Sequence, residues 1–191
     1  MIQHLWSTPF SKTKMGSEIS SSVANLLFTE YDLMSPPNDF GSRNILDNKS
    51  EVMQEFKETV VIPSFNSFLR NTIGKEISDW KGGYRLNGWV AGKGNDYTIN
   101  YHNHSGAQLS AVFYIMCEEY NSGGEISFTD PRQNANRGYD NNFSEWFKHL
   151  RFTPETGDIV VFPSFLYHFV STYQGNIRLA IPVDLFLFAN S

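Results

Sequence analysis

Residues 97–117 read YTINYHNHSGAQLSAVFYIMC, and this stretch decides the fold. Tyr97 to His104 alternates in the manner of a strand, Ser105 to Ala107 carries a glycine turn, and Leu109 to Cys117 is a β-type run rich in aliphatic and aromatic residues. The same texture extends to both sides. Tyr84 to Ala91, Glu125 to Thr129, Asp158 to Pro163, Phe165 to Thr172 and Asn176 to Phe188 are further short runs. Turns at Gly92 to Asn95, Asn121 to Gly124, Glu155 to Gly157 and Gln174 to Gly175 separate most of them. About seven or eight such strands argue a mainly β sandwich or jelly roll.

Ahead of the strands the period changes. Val52, Phe56, Val60, Phe65, Phe68 and Leu69 recur at helical steps. Pro63 interrupts them, which predicts two short helices or one helix broken there, packed on the outside of the sheet. Ser17 to Ser22, followed by Val23, Leu26 and Leu27, predicts the start of another helix. Residues 2–10 predict an edge strand around Leu5 and Trp6, and SPPND (Ser35 to Asp39) predicts a turn. Residues 131–150 form a long polar insertion with Trp146 and Phe147, a place to look for a substrate lid.

Composition narrows the class. With 191 residues, 40% hydrophobic and 15% aromatic, the chain reads as one folded domain over 1–191, its β core at about 84–188. Net charge is -5, with no basic cluster to neutralise phosphates, so nucleic-acid binding is not expected. The lone Cys117 excludes an internal disulfide and a Cys-rich zinc module, and fits a reducing cytoplasm. No apolar run has the length of a signal peptide or membrane span, so no membrane partner is expected.

Three of the five histidines carry chemistry. His4 and His149 read as solvated surface residues. His102 and His104 are two apart on a predicted strand, so their imidazoles share one face, roughly 6 to 7 Å apart. His168, after the strand-turn-strand unit that starts at Gly157, brings back a third. Singly, each fits a surface alternation or a satisfied core residue; together they describe a mononuclear metal site of the kind imidazole offers to Fe, Zn, Cu or Ni. Arg178 lies in the apolar strand NIRLAIPVDLF, where an inward guanidinium demands an anion. Opposite a three-ligand metal, it suits a dicarboxylate such as 2-oxoglutarate.

From Trp89 to Leu187 the chain resembles the iron(II)- and 2-oxoglutarate-dependent oxygenases, in particular small prolyl-hydroxylase-like members of the type common in marine bacteria and cyanophages. The resemblance is carried by YHNHSGAQLSAVFYI, GGEISFTDPR, PETGDIVVFPSFLYHFV and NIRLAIPV, with a weaker likeness at IQHLWSTPF. It implies a double-stranded β-helix (jelly roll), Fe(II), 2-oxoglutarate as cosubstrate and O2. It also implies hydroxylation of a peptidyl or small-molecule substrate with release of succinate and CO2, with phage origin and action in a host cytoplasm as one setting. By position, His102 matches the first histidine of the family's HxD or HxE pair, His168 the distal histidine, and Arg178 the arginine that grips the far carboxylate. Ser110 and Tyr114 match positions that add hydroxyl contacts to 2-oxoglutarate. His104 departs from the pattern, since most relatives carry Asp or Glu there. Either His104 is a third ligand, or it points aside and Asp130 or Asp184 substitutes.

Two rival readings are a cupin and a jelly roll that binds nothing. A cupin wants a glutamate four or five residues beyond HxH, where this chain has Gln108 and Leu109. A structural module should show no stabilisation by Fe(II) or Mn(II) with 2-oxoglutarate. Oligomeric state is left open.

Overall fold

The computed structural model describes residues 7–30, 44–91, 96–117, 123–132 and 150–189. Nine strands are described: β1 (Ser11–Lys14), β2 (Tyr84–Gly88), β3 (Tyr97–His102), β4 (Leu109–Cys117), β5 (Ile126–Phe128), β6 (Leu150–Phe152), β7 (Asp158–Pro163), β8 (His168–Tyr173) and β9 (Arg178–Leu187). They form a five-stranded sheet, β1-β7-β4-β9-β2, and a four-stranded sheet, β3-β8-β5-β6, with every strand pair antiparallel. The fold is the jelly roll anticipated from the sequence, with helices on one side.

Why β4 is apolar on nearly every residue follows from its place between two cores. Ala111, Phe113 and Ile115 face the helices, while Val112 and Tyr114 face the second sheet. The helix-side core joins Val23 and Leu27 of α1 (Ser17–Glu30), Phe56 of α2 (Glu51–Phe56) and Phe65, Phe68 and Leu69 of α3 (Ile62–Ile73) to that face. Phe56 and Phe113 meet edge to face, their centroids 5.3 Å apart, and burying each such ring contributes about 1.5–3 kcal/mol.

The helical segment differs from expectation at its proline. Ser50 caps it, its hydroxyl accepting from the Met53 amide at 3.3 Å. The helix then passes through Pro63 without a break, because Lys57–Val61 forms a π turn in which Ile62 N–H donates to the Lys57 carbonyl. The wider turn re-registers the ladder just before the residue that lacks a donor, so Pro63 takes a first-turn position in α3. Gly74, at φ 67°, ends it in the left-handed region.

Two edge features were not anticipated. The first described strand is Ser11–Lys14, whereas the predicted one lay at residues 2–10, of which 2–6 fall outside the described residues. β1 is seated electrostatically: Lys12 Nζ lies 2.9 Å and Lys14 Nζ 3.6 Å from the fully buried Asp158 carboxylate. β6, at Leu150–Phe152, closes the edge of the smaller sheet. The lid expected around Trp146 and Phe147, the turns at Ser35 to Asp39 and Gly92 to Asn95, and both His4 and His149 lie outside the described residues.

Candidate metal centre

Antiparallel pairing of β3 with β8 sets His102 directly opposite His168, and their ring centroids are 4.3 Å apart. β3 ends at His102, so His104 lies just beyond the strand; its amide donates to the Ser164 carbonyl at 3.0 Å, which keeps it beside the others. Its ring centroid is 5.3 Å from that of His102 and 5.2 Å from that of His168. One nitrogen from each of the three rings lies within 4.8 Å of the other two, an arrangement that can hold one metal ion. Phe162 packs edge-on against His104 and His168, and Trp89 stacks on His104 at 5.6 Å.

Hydrogen bonding sorts the ring nitrogens. Nδ1 of His102 donates to the Asn100 carbonyl at 2.7 Å, and Nδ1 of His168 to the Leu166 carbonyl at 3.0 Å. A carbonyl only accepts, so both rings carry their proton on Nδ1 and leave the Nε2 lone pair free. Nδ1 of His104 lies 2.7 Å from Asp184 Oδ1. Burial pushes the His168 imidazole down to about 3 and holds His102 below the ordinary histidine range. Both are therefore neutral donors near pH 7.

Asp184 has the position of a support to His104. Its Oδ1 also accepts from Ser110 Oγ at 2.6 Å, and Ser164 Oγ lies 2.8 Å from Ser110 Oγ. Because the one hydroxyl hydrogen of Ser110 goes to Asp184, Ser164 donates to Ser110. Ser110 thus turns its donor to the carboxylate, in keeping with its register opposite Asp184 between β4 and β9. Asp130, the other carboxylate weighed for the metal, is engaged by the Arg132 guanidinium, which holds it below the usual carboxylate range.

A cavity of about 420 Å³ runs between the sheets from the histidines to Arg178. Arg178, Ala180, Pro182 and Asp184 line it from alternate positions of β9. Arg178 is buried, with its guanidinium carbon 5.2 Å from the centre of the Tyr114 ring and Nη2 within 3.5 Å of the Tyr114 hydroxyl. Its Nε has no hydrogen-bond partner, and neither has the buried hydroxyl of Tyr97, which lines the same cavity. Burial drives the Tyr114 phenol up to about 12 and raises Tyr97, with Arg178 opposing both, so each is a neutral hydroxyl. The cavity therefore offers a metal-type donor set at one end and an unsatisfied cation with hydroxyls at the other. Sequence reasoning passed over Tyr97, Trp89 and Ser164, since a Tyr in an alternating strand or a Ser in a turn carries no distinguishing pattern.

Residues 87–184 match the model of a family described as "Putative 2OG-Fe(II) oxygenase". No curated protein sequence matches the chain. Among solved structures, an oxidoreductase of the 2OG-Fe(II) oxygenase family from Burkholderia pseudomallei superposes with TM-score 0.51 at 15% identity, covering 74% of this chain; the chain spans 59% of that protein. A Pseudomonas putida prolyl-4-hydroxylase gives TM-score 0.60 at 12% identity, over 97% of this chain and 90% of the other. HygX from Streptomyces hygroscopicus, with nickel and 2-oxoglutarate bound, gives 0.62 at 12%, over 94% and 82%. At such identities these likenesses concern the fold.

Proposed function

The chain belongs to the 2OG-Fe(II) oxygenase family, and from that premise we propose that it is an Fe(II)- and 2-oxoglutarate-dependent dioxygenase with the metal on His102, His104 and His168 and the cosubstrate's far carboxylate on Arg178. One observation carries the reading: three clustered imidazoles and a buried guanidinium with an unpartnered Nε line a single cavity. A jelly roll that binds nothing has no use for either, because leaving such a donor unsatisfied costs about 1–3 kcal/mol.

The donor set fits the group. Three imidazoles suit Fe(II), and three protein ligands leave coordination positions for other molecules. When bound there, Fe(II) supplies O2 activation coupled to oxidative decarboxylation of 2-oxoglutarate to succinate and CO2. The chain supplies the rest. Asn100, Leu166 and Asp184 orient the rings through Nδ1. Arg178, with Tyr97 and Tyr114 beside it, neutralises and orients the distal carboxylate, a charge-assisted contact in a site sheltered from water. Ser110 serves this site through Asp184.

The whole chain works as one oxygenase domain in a reducing cytoplasm, and its prime substrate is a peptide or a small molecule. Peptidyl proline heads the list to be tried, because a prolyl-4-hydroxylase shares the fold. The test is succinate release with Fe(II), O2 and 2-oxoglutarate, screened across proline-containing peptides and small metabolites. Substrate-dependent succinate is expected; no succinate, together with no stabilisation by Mn(II) and 2-oxoglutarate, overturns the proposal.

A further inference from the structure

The three imidazoles are not equivalent. His102 and His168 donate to main-chain carbonyls, whereas His104 alone faces a carboxylate, Asp184 Oδ1 at 2.7 Å. That carboxylate is itself held: Ser110 donates to the same oxygen at 2.6 Å, and Ser164 donates to Ser110 at 2.8 Å. Ser164 also accepts the His104 amide through its carbonyl and donates its own amide to the Gln108 carbonyl at 3.2 Å. The turn after β3, the end of β7 and the body of β9 therefore converge on one buried chain, Ser164 to Ser110 to Asp184, with His104 closing it.

Resting on the reading that His102, His104 and His168 hold the metal, we propose that Asp184 is the positioning residue of the centre, which fixes the ring of His104 and lends the metal, through that ring, a negative charge that the ligands themselves lack. Ligating imidazoles are neutral, so a divalent cation on three of them retains its full charge. A carboxylate accepting the outer N–H raises ring basicity and stiffens its orientation, and losing such a partner typically costs about 10- to 100-fold in metal affinity. The carboxylate stays off the metal, which leaves the remaining coordination positions free for small molecules.

Dependence of a charge effect on the His104 ring separates this role from simple packing. Asp184→Asn keeps the shape and an accepting oxygen but removes the charge. With His104 present it should weaken binding of Mn(II) alone by about 10-fold or more. In a His104→Asp background the ring N–H through which Asp184 acts is gone, and the ligand carries a charge of its own. There the same Asp184→Asn change should cost far less than it does in the wild-type chain, because the ring that couples Asp184 to the metal is absent.

The experiment is anaerobic Mn(II) titration of the full chain and these three variants by calorimetry, with circular dichroism to confirm folding. A loss of about 10-fold or more with His104 present that largely disappears in the His104→Asp background supports the proposal. Wild-type binding of one Mn(II), with Asp184→Asn neutral or equally costly in both backgrounds, overturns it while leaving the metal reading intact. No Mn(II) binding by the wild type overturns both. Should His104→Asp fail to fold, Ser110→Ala serves instead: it should weaken Mn(II) binding several-fold in the otherwise wild-type chain and have no effect in the Asp184→Asn background, and equal losses in both overturn the proposal.

Discussion

Arg178 on β9 and Tyr97 on β3 belong to opposite sheets, yet each turns a buried, unpartnered polar atom, the guanidinium Nε and the phenol oxygen, on residues lining one cavity. Both atoms face the space in which the proposed reading puts the cosubstrate's far carboxylate.

The two side chains should respond differently to substitution. Arg178→Ala is expected to weaken 2-oxoglutarate binding by about 10- to 100-fold, the worth of a charged hydrogen-bonded contact, while leaving Mn(II) binding in place. Tyr97→Phe should weaken it about fivefold and, by removing an unsatisfied hydroxyl, leave the ligand-free protein as stable or more so. Calorimetry with Mn(II) present checks both; unchanged cosubstrate affinity in the arginine variant contradicts the assignment.

His168→Ala should abolish metal-dependent stabilisation. Wild-type protein at a metal concentration a hundredfold above Kd gains about 2.7 kcal/mol, visible as a rise in melting temperature with Mn(II). A variant that still shows the rise would place the ion elsewhere.

The ligand-free protein should lose stability on mild acidification. His168 is held down to about 3 and His102 below its usual value, both chiefly by burial. The unfolded chain therefore takes up protons that the folded chain refuses as pH falls below about 6.5, and stability drops from there toward pH 3. Melting temperature followed from pH 7 to pH 4 should decline, and His168→Phe should flatten the slope. An identical slope in that variant would remove His168 as its source.

Gly124 has a double constraint. Its φ is 73°, and a Cβ there would come 2.9 Å from Tyr173 Cδ2 and 3.4 Å from Arg178 Cδ. Gly124→Ala should cost about 1–3 kcal/mol of stability and also loosen 2-oxoglutarate binding by displacing the arginine stem. Equal affinity in variant and wild type would show that Arg178 tolerates the intrusion.

Much of this architecture was legible because burial on both faces leaves a strong trace. The β4 and β7 spans, Leu109–Cys117 and Asp158–Pro163, coincide with the runs expected from sequence, since continuous apolar residues bounded by glycine turns leave little choice. β6 is three residues long with polar flanks and gave no such trace. β1, SKTK, is placed by its lysines on Asp158, a long-range pairing that local pattern does not encode. Pro63 predicted a break because nothing local announces a π turn.

At the centre, spacing singled out His102, His104 and His168, and the structure brings the three together. What orients them was hidden, since main-chain carbonyls at Asn100 and Leu166 look alike in any sequence. Asp184 was weighed as a ligand, and only the register of β9 against β4 reveals the serine that holds it.

Asp184 and Arg178 stand six residues apart on one strand, so the span between the two ends of the pocket is a ruler ticked in peptide units. Pairing with β4 runs the length of that gauge, from Arg178 opposite Cys117 to Asp184 opposite Ser110. If Arg178 anchors the far carboxylate as proposed, diacids one carbon shorter or longer than 2-oxoglutarate should bind more weakly than it does, which calorimetry with Mn(II) present checks.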